Sequence, residues 1–175
     1  MTETSLWRLR TAALLAIGTM QPQAGAVEPL RQFDVVLLQP GDLIEQRVDG
    51  GADALAAYVR RLGDAATRAV ESHPAQIPSA GFIVVAARPD GRVHTWLDFK
   101  PTLLPETAQD LDRSVQASAP LPVKSGEIVF ALRVGLWGSR EPVNHAPAPQ
   151  EWRDAAAKEG RKLDVESLVD RVWPR

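Results

Sequence analysis

The sequence predicts an α+β domain: a small antiparallel sheet packed on amphipathic helices, its core running helix, strand, strand, helix, strand. Three observations carry this. Two β-rich runs, Phe82 to Ala87 and Arg92 to Phe99, are joined by Arg88-Pro89-Asp90-Gly91, a hairpin turn with a mechanism. Proline presets φ at the first central position, aspartate bonds its own downstream backbone, and glycine takes the positive φ that closes the turn. Two other segments repeat apolar residues at helical spacing, one before the hairpin and one after it. Finally, Glu127 to Trp137 is the longest β-rich run in the chain, entered through Lys124-Ser125-Gly126 and left through Gly138.

Taken in order, the chain starts with a segment that looks like a cleavable secretory signal. Trp7 to Arg10 is a short basic stretch, Thr11 to Met20 a short apolar core, and Ala24-Gly25-Ala26 a small-x-small site. The apolar run is about ten residues, well short of the roughly 20 that cross a bilayer. Residues 1–26 are therefore expected to be removed. In a Gram-negative source the mature chain would be periplasmic, starting at Val27, with no stable membrane span after cleavage. No cysteine follows the site, so there is no lipoprotein attachment point.

Phe33 to Leu38 is β-rich and is stopped by Gln39-Pro40-Gly41-Asp42; Leu43 to Val48 reads as a second short strand or a loop. After Asp49-Gly50-Gly51, Leu55, Val59, Leu62, Ala66 and Val70 form a stripe that predicts a helix from Ala52 to about Ser72, ended by His73-Pro74. In the hairpin, Phe82 to Ala87 is apolar on both faces, which marks the more interior strand. The second run alternates, with Val93, Thr95, Leu97 and Phe99 on one face and Arg92, His94, Trp96 and Asp98 on the other. Leu104, Ala108, Leu111 and Val115 mark the second helix, with Pro105 suited to its first turn and Glu106 placed near the positive end of its dipole.

The third strand, Glu127 to Trp137, is expected beside one of the hairpin strands, with the helices on one face of the sheet and Phe33 to Leu38 as a possible fourth strand. The domain thus spans residues 27–138. Residues 139–175, punctuated by Pro142, Pro147 and Pro149, form an extension with a short helix around Glu151 to Lys158. A last helix, capped by Asp164, has Val165, Leu168, Val169 and Val172 on one face. With few large apolar residues, this extension is expected to dock on the domain through Trp152 and Trp173 and not to fold alone.

Composition excludes several classes of function. Of the 175 residues, 24% are charged, and a net charge of −2 leaves no footprint for nucleic acid. The lack of cysteine excludes disulfides, thiolate metal sites and Cys nucleophiles. Three scattered histidines, His73, His94 and His145, show no metal-ligand spacing, and no Gly-x-Ser-x-Gly or P-loop pattern occurs. No cofactor or metal is expected.

Between Ala52 and Trp137 the element order, the Asp-Gly hairpin and the Ala119-Pro120-Leu121-Pro122 loop before the last strand resemble the C-terminal domain of the TonB and TolA energy-transducing proteins. The matching positions are Gly81, Val84, Asp90, Gly91, Ala108, Pro120, Pro122 and Phe130, across about half the chain. The long anchor and spacer of those proteins have no counterpart here. The resemblance implies a non-catalytic protein-interaction module whose partner is another periplasmic or outer-membrane protein, bound by strand addition.

Two sets of binding residues follow. Arg92, His94, Trp96 and Asp98 are a polar and aromatic strand face, open to two readings: a recognition surface, or a face with Trp96 covered by the tail. His94 and Asp98 stand about 13 Å apart along a strand, so the two cannot form a dyad by themselves. Glu127, Val129, Ala131 and Arg133 lie along the third strand, whose edge, if free, would accept a partner strand. The alternative function is a small-ligand-binding protein or hydrolase using the polar face of the second hairpin strand.

Overall fold

A computed structural model describes residues 27–161 and 163–174. The expected signal segment, residues 1–26, lies outside the described residues. The elements run β1 (Leu30–Leu37), α1 (Gly41–Arg47), α2 (Gly51–Glu71), β2 (Ser79–Ala87), β3 (Val93–Lys100), α3 (Pro105–Gln116), β4 (Ile128–Leu136), α4 (Gln150–Glu159) and α5 (Val165–Val172). The strands form one four-stranded antiparallel sheet in the order β1-β4-β2-β3.

The hairpin turn is built by the residues that predict it. Gly91 N–H donates to the Arg88 carbonyl at 3.0 Å, Gly91 has φ +80°, and Asp90 Oδ1 accepts the Arg92 N–H at 3.0 Å. From there β2 and β3 pair without a break, Ala87 with Val93 through Ala80 with Lys100. Near the far end, Gly81 is required by close approach: a Cβ on it would sit 2.0 Å from the Asp98 carbonyl oxygen.

β2 and β4 are buried on both faces, and the reason is layering. On one face, Ile83, Val85, Phe130, Leu132 and Phe99 pack under α2 and α3 with Tyr58, Leu62, Leu111 and Val115. On the other, Phe82, Val84, Ala86, Trp96, Val129 and Ala131 pack under Trp152 of α4 and Val169 of α5. The expectation of helices on one face is therefore corrected: strands apolar on both sides need two covers, and the C-terminal extension supplies the second. Asp164 caps α5 as expected, its Oδ1 accepting the Ser167 N–H at 2.8 Å.

Two further expectations change. Leu43 to Val48 is mostly the short helix α1, not a strand, with Asp42 in its first turn and Ile44 buried; only Val48 makes an isolated bridge, to Val123. And β4 is not at an edge: β1 pairs with one side of it and β2 with the other. Leu55 on the α2 stripe and Leu97 on the apolar face of β3 are expected to face the core and are only half-buried.

Candidate strand-docking site

Because β2 and β4 are interior, the sheet has two edges, β1 and β3. β1 is interrupted by a bulge between Gln32 and Asp34, a device that twists an edge away from pairing. β3 is regular over eight residues. Its ladder phase follows from the turn. Arg88 N–H donates to the Arg92 carbonyl, so by the two-residue alternation of an antiparallel pair His94, Trp96, Asp98 and Lys100 bond inward to β2. The peptide groups of Val93, Thr95, Leu97 and Phe99 then point away from the sheet. Among the described residues, none of these four backbones hydrogen-bonds to another segment.

The C-terminal half of this edge lies in a cleft of about 420 Å³. Leu97 to Lys100 form its floor, Leu103 and Ala108 of the α3 side one wall, and Gln150 and Arg153 of α4 the other. Helices on both faces of the sheet thus leave an open strand edge recessed between them.

The sequence-predicted polar face is found largely engaged in holding the second layer. Trp96 is 3% exposed, with Trp152 edge-on at 5.5 Å between ring centroids. His94 stacks edge-on against Trp96 at 4.6 Å and leans on Trp173 at 5.9 Å. Burial pushes the His94 imidazole below its ordinary value, against the opposing pull of Asp112 and Glu151. Asp98 Oδ2 accepts the Ala148 N–H at 2.7 Å, fixing the entry to α4. Arg92 is exposed at the turn and pairs with Asp90 at 2.7 Å.

The β4 set is interior. Val129 and Ala131 are wholly buried under α4 and α5, and β4 is paired with β1 on one side and β2 on the other, so no free edge exists for strand addition there. Glu127 is 6% exposed and takes the Arg88 guanidinium on Oε2 at 3.2 Å, while its Oε1 has no hydrogen-bond partner. Burial raises the Glu127 carboxyl above its ordinary value despite Arg88 beside it. Arg133 is likewise enclosed, paired to Glu141 at 2.6 Å and donating to the Pro142 carbonyl.

Around Glu127 the structure assembles a cluster that sequence reasoning missed. Arg88 also pairs with Asp170 and lies over the Trp173 ring at 3.9 Å from its centroid. Arg47 donates to the Glu127 carbonyl at 3.1 Å and to Glu166 at 2.7 Å. Gln39 bridges Glu166, the Glu127 carbonyl and the Val129 N–H. These contacts tie α5 to the sheet end through side chains from five stretches of chain. No spacing in the sequence could have signalled them.

A further cleft of about 350 Å³ beside Phe82, Lys100 and Pro142 is lined by the loop after β4. His73 pairs with Asp110 at 3.1 Å, joining the end of α2 to α3. Among the described residues there is no group of three His, Asp or Glu side chains placed to hold a metal, and no helix long and apolar enough to cross a membrane. Comparison with family models, curated proteins and solved structures gives no match in any of the three.

Proposed function

We propose that this chain is a non-catalytic protein-interaction module that takes an extended segment of a partner onto the open edge of β3. The observation that carries the reading is the row of outward peptide groups at Val93, Thr95, Leu97 and Phe99, of which Leu97 and Phe99 are recessed in the cleft between α3 and α4. An extended segment laid there gains main-chain hydrogen bonds on one side and side-chain contacts with two walls. The element order α2-β2-β3-α3-β4, on which the resemblance to the TonB/TolA C-terminal domain rests, is consistent with such a role. The N-terminal basic, apolar and small-residue pattern supports export, and hence a partner that is periplasmic or in the outer membrane. N-terminal sequencing of the mature protein should begin at Val27; an intact Met1 would refute export with cleavage.

The alternative, a ligand or hydrolytic site on Arg92, His94, Trp96 and Asp98, is disfavoured because Trp96 is buried and Asp98 holds the chain entering α4. A proline scan separates the two readings. Leu97→Pro removes an outward N–H, which an edge strand tolerates, whereas Val35→Pro does the same on β1. Partner capture should be lost in the first variant and kept in the second, with both folded by circular dichroism. Capture undiminished in folded Leu97→Pro would overturn the proposal.

A further inference from the structure

We infer that the segment accepted by the β3 edge alternates apolar and acidic residues, the apolar row facing α3 and the acidic row facing α4. The inference rests on the strand-addition reading above and names the chemistry of its partner. In a pleated sheet the side chains of an added strand fall into two rows, each continuing one face. Here the two faces end differently.

The row on the α3 side meets Leu97, Phe99, Leu103 and Ala108. Phe99 and Leu103 are 6% and 7% exposed, while Leu97 is half-buried and faces the cleft. Leu104, at the start of α3, is 51% exposed beyond them. Apolar side chains added there extend an existing apolar surface and remove it from water.

The row on the α4 side meets Lys100, Arg153, Asp98 and Gln150. Lys100 is exposed and makes no ion pair among the described residues. The Arg153 guanidinium donates to the Ala148 carbonyl and to Gln150 Oε1, both neutral acceptors, so its charge is not compensated. Asp98 is the one carboxylate in the cleft, and its Oδ2 is already occupied by the Ala148 N–H. The acidic residues of α4, Glu151 and Asp154, line a separate cleft with Lys158 and Arg171. The wall therefore presents two cations against one engaged carboxylate, and opposite charges directly across a strand pair are stabilising where like charges are not. With four floor residues at ~3.3 Å each, the cleft spans roughly 13 Å, room for two residues in each row.

The test uses two fluorescein-labelled, end-blocked octapeptides, one alternating glutamate with valine and one alternating lysine with valine, titrated by fluorescence anisotropy in low salt. The glutamate peptide should bind about tenfold more tightly, as one cross-strand pair with Lys100 and one ion pair with Arg153 on the α4 wall imply. The double variant Lys100→Glu, Arg153→Glu, both exposed positions, should reverse the order. Equal binding of the two peptides, lost in Leu97→Pro, would leave strand addition standing and overturn the charge preference. Preference for the lysine peptide would overturn it too. Binding of neither peptide by the folded protein would overturn the docking reading and this inference with it.

Discussion

Replacing Trp152 tests whether the C-terminal helices are a structural layer or a detachable appendage. Trp152 is 6% exposed on the second face of the sheet, packed edge-on against Trp96 at an interplanar angle of 67°. Truncation of a buried tryptophan to alanine costs about 3 to 5 kcal/mol through lost burial and the cavity left behind. One feature opposes this. The indole Nε1–H is buried without a partner, and relieving an unsatisfied donor returns about 1 to 3 kcal/mol. The net expectation for Trp152→Ala is a loss of about 0 to 4 kcal/mol, centred near 2 kcal/mol. Trp152→Phe removes the orphan donor while keeping most of the ring, so it should change stability by less than about 1 kcal/mol. Urea unfolding followed by far-UV circular dichroism, with linear extrapolation, reads both values. The transition should stay single, because α4 and α5 cover the same β2 and β4 residues whose other face packs on α2 and α3. A separate early transition in the alanine variant would refute a cooperative two-sided core.

On the opposite face, Leu111 is fully buried, and Leu111→Ala should cost about 2 to 5 kcal/mol in the same assay. Gly81→Ala should be severely destabilising or insoluble, since the new Cβ meets the Asp98 carbonyl oxygen at 2.0 Å; a variant as stable as the parent would show that the hairpin can separate there. His94 predicts a pH dependence. Its folded pKa lies below the ordinary 6.5, so as pH falls the unfolded chain takes up the proton first. Stability is then full above 6.5, declines as pH drops below it, and levels off beneath the depressed value. Urea midpoints between pH 7.5 and 5.5 should fall in the parent and fall less in His94→Gln; identical slopes would exclude His94 as the titrating group.

The local elements of this chain were legible because their causes are local. Pro89, Asp90 and Gly91 specify a turn whatever surrounds them, the stripes on α2 and α3 follow from a 3.6-residue period, and Asp164 bonds a backbone three residues away. α1 escaped because seven residues make barely two turns, too few repeats of a 3.6-residue period to read. Alternation along β3 correctly sorted Thr95, Leu97 and Phe99 from His94, Trp96 and Asp98.

The sequence by itself thus determined the hairpin, the long helices and which residues share a strand face, all consequences of backbone periods and turn chemistry within a few residues. The tertiary structure decided which strands are neighbours: a period of two says which way a side chain points but not which edge a strand joins. That choice put β4 between β1 and β2, closed the edge at Val129 and Ala131, and left β3 open. It also brought Arg47, Glu127 and Glu166 together, and set Arg153 of α4 opposite Ala108 of α3 across that open edge. Such meetings depend on how layers stack around a shared core, and distance along the chain carries no record of them.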